Sequence, residues 1–349
     1  MNEGTARPPG VTVAVCCHNS EARLPETLRH LASQRTPDET PWEVIVVDNA
    51  STDETGRVAR EAWARSGSHV PFRLIQESEP GLVAARTKAL EEASYDYVLF
   101  CDDDNWLHED YVRIVFDVMS GNPRIGALGG VGEPVFGTTE PSWFKDYPQY
   151  YAVGEQAEQS GDITEKKGYV YGAGFVIRNA AWQHIRAQGF TSLLHGFRRG
   201  SNDIELCCLV QLAGYRVWYE DRLRFRHELP AWRLTWPYFL RLTEIAHESG
   251  VFVAPYRIVL ANSGSYATPS RWHWLARAAS LLPKLFRRSV VVLKYRNREG
   301  HPVHARRRRL TGELRGWLAV RGRYSELCDR VHWLQGRLAS RPKANPKAN

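Results

Sequence analysis

Short, β-prone, almost wholly apolar runs alternate with segments of helical spacing through the first 120 residues, and this restricts the fold more than any other feature of the chain. Residues 11–17 read as a strand, and residues 21–34 follow with Leu24, Leu28 and Leu31 on one helical face. Residues 43–47 form a second run, as continuous as a parallel strand covered on both faces requires. Ser51-Thr-Asp-Glu54 has the spacing of a capping box for a helix reaching Ser66. Residues 72–75 give a third strand, and residues 80–93 a helix with Pro80 in its first turn. A fourth strand over 97–101 and a helix over 110–120 complete the series. Strands and helices at this spacing make βαβ units, so the expected class is α/β with a doubly wound sheet.

The pattern then loosens. Residues 168–178 read as a strand interrupted by Gly172 and Gly174, residues 203–214 as a helix ending in glycine, and residues 215–219 as one more strand. Beyond Pro230 the spacing turns helical, with Leu310, Leu314, Trp317, Tyr324, Leu327, Val331, Leu334 and Leu338 in register. Gly312, Gly316, Gly322 and Gly336 weaken the propensity of that region. The tail 342–349 is expected to be disordered.

At 349 residues, with 43% hydrophobic and 24% charged side chains, the composition is that of a soluble globular protein with a substantial core. No run approaches the ~20 apolar residues that cross a bilayer, and the N-terminus lacks an apolar signal region, so a cytosolic protein is expected. The six cysteines fall in apolar segments and read as reduced and mostly buried. The net charge of +7 is concentrated between Lys284 and Arg323, where Arg306 to Arg309 are unbroken. That run is either a solvated face or a surface for phosphate-bearing partners; nucleic acid is disfavoured, because no aromatic platform accompanies it. Trp272, Trp274, Leu275, Leu281, Leu282, Leu285 and Phe286, ahead of Arg287 and Arg288, are the mixture found in interfacial helices. They either dock the protein peripherally on the inner face of a membrane or form a helical cap on the core.

Three aspartates, Asp102, Asp103 and Asp104, follow the fourth strand directly, where open α/β sheets place their chemistry. Carboxylates this close repel one another unless a cation or donor lies among them. A divalent ion carrying phosphate oxygens meets that need; capping of the next helix explains one aspartate only. The first strand leads into His18-Asn-Ser-Glu, not a Gly-x-Gly-x-x-Gly turn, which argues against a Rossmann dinucleotide site. Asp48, leaving the second strand, is placed either to accept from a ribose or base, or to turn the chain. Gly172 and Gly174 suggest close approach of backbone to a ligand, or a bulge. The aromatic stretch 143–151 is either part of an acceptor cleft or a packed loop.

Taken together, Val13-Ala-Val-Cys-Cys-His-Asn-Ser-Glu, Glu43-Val-Ile-Val-Val-Asp-Asn-Ala-Ser-Thr-Asp, Pro80-Gly-Leu-Val-Ala-Ala-Arg-Thr-Lys, Leu99-Phe-Cys-Asp-Asp-Asp, Gly172-Ala-Gly and Gly200-Ser-Asn-Asp-Ile-Glu resemble family 2 glycosyltransferases over residues 10–228. The resemblance implies a GT-A-like mixed sheet over residues 8–228, with residues 229–341 a helical, basic extension. It implies an inverting hexosyltransferase that uses a nucleotide-diphosphate sugar, acts on a glycan or lipid-linked acceptor, and serves bacterial surface polysaccharide or glycolipid synthesis. By the same resemblance Asp48 contacts the base near the Cys17–Asn19 turn, Asp102 faces the ribose with Asp103 beside it, and Arg86 lies near the nucleotide. Asp104 ligates Mn²⁺ or Mg²⁺, and Asp203 is the general base. Gly172, Gly174 and Glu205 lie on the sugar and acceptor side. His227 aligns with a histidine that some relatives use as a metal ligand, or is a structural imidazole. Asn202 departs from the family's pattern, which has an acid there. A sugar-nucleotide-forming nucleotidyltransferase and a catalytically silent glycan-binding or scaffold domain are the alternatives.

Overall fold

The apolar runs pair as their alternation requires. In the computed structural model, which describes residues 7–194, 200–262, 266–296 and 298–339, β1 (Val11–Cys17), β2 (Trp42–Asn49), β3 (Phe72–Glu77) and β4 (Tyr97–Asp102) are parallel and lie in the order β3-β2-β1-β4. Every residue of β2 is buried, because helices cover both faces: α1 (Leu24–Ala32), α2 (Thr55–Ser66), α3 (Leu82–Glu92) and α4 (Tyr111–Gly121). The tail 342–349 lies outside the described residues.

Beyond β4 the sheet becomes mixed. β8 (Phe175–Arg178) runs antiparallel between β4 and β6 (Ile125–Phe136), and β9 (Arg216–Leu229) runs parallel to β6. Two short strands complete it: β5 (Asn105–Leu107) and β7 (Gly161–Asp162) both pair with β9. Helices α5 (Asn179–Ala187) and α6 (Asn202–Leu212) pack beside this half.

Several expectations change here. Only residues 175–178 of the interrupted strand are extended, and β6, rich in glycine, was not anticipated. Residues 105–107 form a strand, so the three aspartates stand apart from the next helix, whose N-cap is Asp110. The capping box does not form: Ser51 accepts from the Asn19 amide, while Asp53 accepts from the Thr55 amide and hydroxyl at the start of α2. The described cysteines are all free, and all but Cys16 are buried.

The C-terminal region is helical: α7 (Trp236–Ala261), α8 (His273–Lys294), α9 (Pro302–Ala319) and α10 (Tyr324–Ala339), the last two separated at Gly322, whose φ is +73°. The glycines of α9 have a packing reason. A Cβ on Gly312 would overlap the Glu244 carbonyl oxygen of α7, and one on Gly316 would lie 2.6 Å from that of Glu248. The two backbones therefore approach closely, and the lost propensity is offset by that contact. The arginine run is divided by helical geometry. Arg308 pairs with buried Glu244 at 2.7 Å, joined there by Arg315, while Arg307 donates to Ser289. Arg309 lies over the Tyr150 ring, and Arg306 remains exposed. On α8, Leu275, Leu282, Phe286, Val290 and Leu293 form an exposed apolar row, whereas Ala278 and Leu281 face inward.

Candidate active site

Register brings the acidic residues to one edge. Cys17 is opposite Asp48 and Cys16 opposite Asp102, so β2, β1 and β4 end level with one another at their C-termini. That edge opens into a cavity of about 650 Å³ lined by Cys16, His18, Arg86, Asp102–Asp104, Asp203 and His227, among others.

The aspartates have three different environments. Asp103 is held by Arg23 at 2.7 Å and by the Ser20 hydroxyl, and is a structural clamp on the first loop. Asp102 faces Arg86 at 3.6 Å; burial pushes its carboxyl up to about 6 against the pull of that guanidinium. Asp104 pairs with Arg233 at 2.6 Å and stands 3.5 Å from His227 Nε2. Burial raises the Asp104 carboxyl, but His227 and Arg233 outweigh it and hold the group well below the usual carboxylate range.

His227 reaches Asp104 because β5 and β9 pair, with Asn105 opposite His227 and the Glu228 amide donating to the Asp104 carbonyl. Its Nδ1 lies 2.7 Å from the Tyr151 carbonyl oxygen and so carries a proton, while Nε2 faces Asp104, its own proton shared with the carboxylate until a cation replaces it and takes the lone pair. A carboxylate and an imidazole lone pair held together by an outer hydrogen bond are a donor set suited to a divalent ion. Among the described residues no three His, Cys, Asp or Glu side chains form a closed cage. Two protein donors with the remaining positions left to phosphate and water is the arrangement Mg²⁺ usually takes. Arg233 Nη1, 3.4 Å from His227 Nε2, shares this space. Nothing in the sequence reading pointed to Arg233, which lies in a short 3₁₀ turn after β9.

Other positions are sorted by their hydrogen bonds. Arg86, buried over the Phe100 and Phe175 rings, donates to the Gly172 carbonyl and to Asn202. The amide that replaces the family's acid thus accepts from this arginine. A Cβ on Gly172 would lie 3.0 Å from the Asp203 side chain, so the glycine makes room for the site's own residues rather than directly for a ligand. Gly174, at φ +64°, accepts from the Tyr111 hydroxyl at 2.5 Å and lies away from the cavity lining. Asp48 accepts from Gln76 through one oxygen, while the other is buried with no partner behind the residues that line the cavity.

Two expected site residues do other work. Asn19 has its amide oxygen engaged by Thr52, tying the first loop to the second. Glu205 accepts from Ser192, the Leu193 amide and Tyr256, outside the cavity that Asp203 lines. Asp203 itself, in the first turn of α6, has its carboxyl raised by burial and lowered less strongly by Arg86. The aromatic stretch is mostly packed: Trp143, Phe144, Tyr147 and Tyr151 are buried against Trp236 and Phe239, and Tyr150 reaches the cavity.

Comparison with known proteins agrees with this geometry. Residues 12–186 match the family described as Glycosyl transferase family 2. The chain is 32% identical over 108 residues to glycosyltransferase GlyA of Streptococcus pneumoniae, covering 30% of this chain and only 14% of that protein. It is 23% identical over 227 residues to a glucosyl-dolichyl phosphate glucuronosyltransferase of Haloferax volcanii, covering 64% of this chain and 70% of that one. Among solved structures, S. aureus TarS 1–349 aligns over 89% of this chain and 91% of its own with a TM-score of 0.51 at 15% identity. The mannosyltransferase PcManGT of Pyrobaculum calidifontis, in complex with GDP-Man and Mn²⁺, aligns over 96% of this chain and 87% of its own with a TM-score of 0.54 at 20% identity. These likenesses give the mixed sheet as a GT-A glycosyltransferase fold. The chain spans less than a third of the length of GlyA, but the family match covers half of the chain and contains the strand ends that carry Asp48, Asp102 and Asp104, and on that ground the chain belongs to glycosyl transferase family 2.

Proposed function

We propose that the protein transfers a hexose from a nucleotide-diphosphate donor to a hydroxyl of a glycan or lipid-linked acceptor, with inversion, in surface polysaccharide or glycolipid synthesis. The observation that carries this reading is the position of Asp203. It lines both the aspartate-rich cavity and a second, adjoining cavity of about 730 Å³, so one carboxylate faces donor and acceptor.

In this reading the nucleotide lies along the β2–β1–β4 edge, where Asp48 meets the base and Asp102 the ribose. Asp104 and His227 would hold Mn²⁺ or Mg²⁺, which supplies positive charge against the departing diphosphate. Arg233 and Arg23 add fixed positive charge at the same edge. Asp203 takes the acceptor hydroxyl proton as that oxygen bonds to the anomeric carbon and the carbon–phosphate oxygen bond breaks toward the diphosphate. Its raised carboxyl is a stronger base than a solvated aspartate, and such a base contributes about 10²–10⁴-fold. Attack from the face opposite the leaving group inverts the centre in one displacement, without the second, nucleophilic carboxylate of retaining enzymes.

Relatives support the donor and acceptor classes. One TarS structure contains UDP-GlcNAc, and TarS is named for action on poly(ribitol-phosphate). No helix among the described residues is long and apolar enough to cross a membrane. The apolar row on α8, with Lys284, Arg287, Arg288 and Lys294 on the same helix, suits peripheral contact with an anionic inner membrane face. The test is nucleotide release from a panel of UDP-, GDP- and dTDP-sugars with Mn²⁺ or with EDTA. Release that needs metal and is lost in Asp104→Ala and Asp203→Asn is expected. Full release in EDTA would remove the metal role, and no release from any donor would return the silent-domain alternative.

A further inference from the structure

The helix that carries Asp203 begins in an unusual way. Ser201 immediately precedes α6, and a serine there ordinarily has extended backbone and accepts, through its hydroxyl, from an amide of the first turn. Here its φ is +58° and its ψ 9°, left-handed and disfavoured for a residue with a Cβ, and its side chain makes no capping bond. The hydroxyl is turned to α7 instead, 2.8 Å from that of Ser249. A hydroxyl has one proton. Ser249 directs its own toward the Ile245 and Ala246 carbonyl oxygens at 3.0 and 3.2 Å, so Ser201 is the donor of the pair. Ser249 is buried and the approach is close: a Cβ on Gly200, whose φ is +93°, would lie 2.7 Å from the Ser249 hydroxyl oxygen. A second bond joins the same two helices, from the Tyr256 hydroxyl of α7 to Glu205 at 2.8 Å.

The amide that Ser201 leaves uncapped has another acceptor. The Ile204 N–H, in the first turn of α6, donates to Asp203 Oδ1 at 2.9 Å. Burial raises the Asp203 carboxyl, while Arg86 and then the amides of Ile204 and Gly172 draw it down. The other titratable groups around it are Lys167, Tyr169 and Tyr171, ahead of β8, and Cys207 of α6. In an ordinary capping conformation the Ser201 hydroxyl would compete with the Asp203 carboxylate for the Ile204 amide.

We infer that Ser249 is a positioning residue for the transfer: by holding the Ser201 hydroxyl against α7, it reserves the Ile204 amide for the Asp203 carboxylate and so sets the direction of the base. The inference rests on the proposed role of Asp203. It makes α7, and with it the C-terminal helical region, part of the geometry of the reaction.

The experiment is Ser249→Ala in the full-length protein, alone and with Ser201→Gly, measured by nucleotide release across pH with the sugar nucleotide that the panel selects. Released from α7, Ser201 relaxes to a capping conformation and takes the Ile204 amide. Small misplacements of a reacting group cost up to about 100-fold, so kcat is expected to fall about tenfold or more while the donor KM stays within about twofold. Loss of an amide bond to the charged form of Asp203 moves the acid limb of the pH profile upward. Adding Ser201→Gly is expected to restore most of kcat and the acid limb, because glycine holds a positive φ without strain and brings no competing hydroxyl. Wild-type kcat in Ser249→Ala overturns the inference, as does a loss that Ser201→Gly leaves in place, which would assign Ser249 to packing alone. If Ser249→Ala does not fold, Ser249→Cys, which nearly keeps the volume and weakens the pair, is measured instead, with a smaller loss of the same sign expected. A crystal structure of Ser249→Ala tests the geometry without turnover. Ser201 Oγ on the Ile204 amide is expected there, and an unchanged bond from that amide to Asp203 overturns the inference. That result does not depend on any donor being used, so its failure is distinct from a failure of nucleotide release.

Discussion

Arg233 and a divalent ion should compete for Asp104, and Arg233→Met exposes that competition. The guanidinium lies 2.6 Å from the carboxylate, with both side chains largely buried, at 16% and 11% exposure. Removing one partner of a buried pair costs about 3–5 kcal/mol, because the remaining charge is left unpaired. His227 stays beside Asp104, so the lower end, about 3 kcal/mol, applies here. Unfolding entropy of about 2.1 cal/mol/K per residue over 349 residues is roughly 0.7 kcal/mol/K, which converts that loss into a fall of about 4 °C in Tm. Mn²⁺ at a hundred times its Kd returns about 2.7 kcal/mol to the variant. In the wild-type protein the ion has first to displace the guanidinium, so its stabilisation is smaller. Differential scanning fluorimetry of both proteins, in EDTA and in excess Mn²⁺, reads all four states. Equal melting of the two proteins in EDTA, or an equal Mn²⁺ shift in both, would refute the reasoning.

Further outcomes follow from the same contacts. Gly312→Val should destabilise the protein by about 2 kcal/mol or more in urea titrations, because the new side chain meets the α7 backbone rather than a movable group. Lys167 is half-buried over the Tyr169 and Tyr171 rings, and that partial burial brings its ammonium down to about 8. The native state therefore sheds this proton before the unfolded chain does, and stability contributed by the group rises with pH from about 8 toward 10.5. Urea midpoints of wild type minus Lys167→Met across that window should show the rise; a flat difference would contradict it. Phe286→Glu with Leu293→Glu should abolish co-flotation with anionic vesicles at low salt while leaving Tm unchanged, both positions being more than 70% exposed.

Strands β1, β2 and β4 were legible because they are buried on both faces and almost wholly apolar, as in residues 44–47. β6 was not legible: Gly126, Gly129, Gly130 and Gly132 remove the apolar signal that a strand shows, and the reason for them is packing against Val170, Leu223 and Ala152, distant in sequence. The aspartate edge could be read from three carboxylates behind a strand, whereas the partner that neutralises Asp104 lies 129 residues away. Asn19 and Glu205 show the reverse case. Their residue types suit a site, but local loops and Tyr256 engage their polar atoms, which only the folded chain reveals. The arginine run carried its meaning in rotation about α9, which directs successive side chains to an ion pair, a neighbouring helix and the second cavity.

The backbone contact between α7 and α9 limits what can enter beside it. With Gly312 and Gly316 seated against carbonyl oxygens of α7, the two helices have no slack through which to widen the gap between them. The part of the second cavity that these two helices line is then of set width. A bulkier occupant of that cavity would have to be admitted by trimming side chains, one at a time, because prying the helices apart would break the contact that holds them.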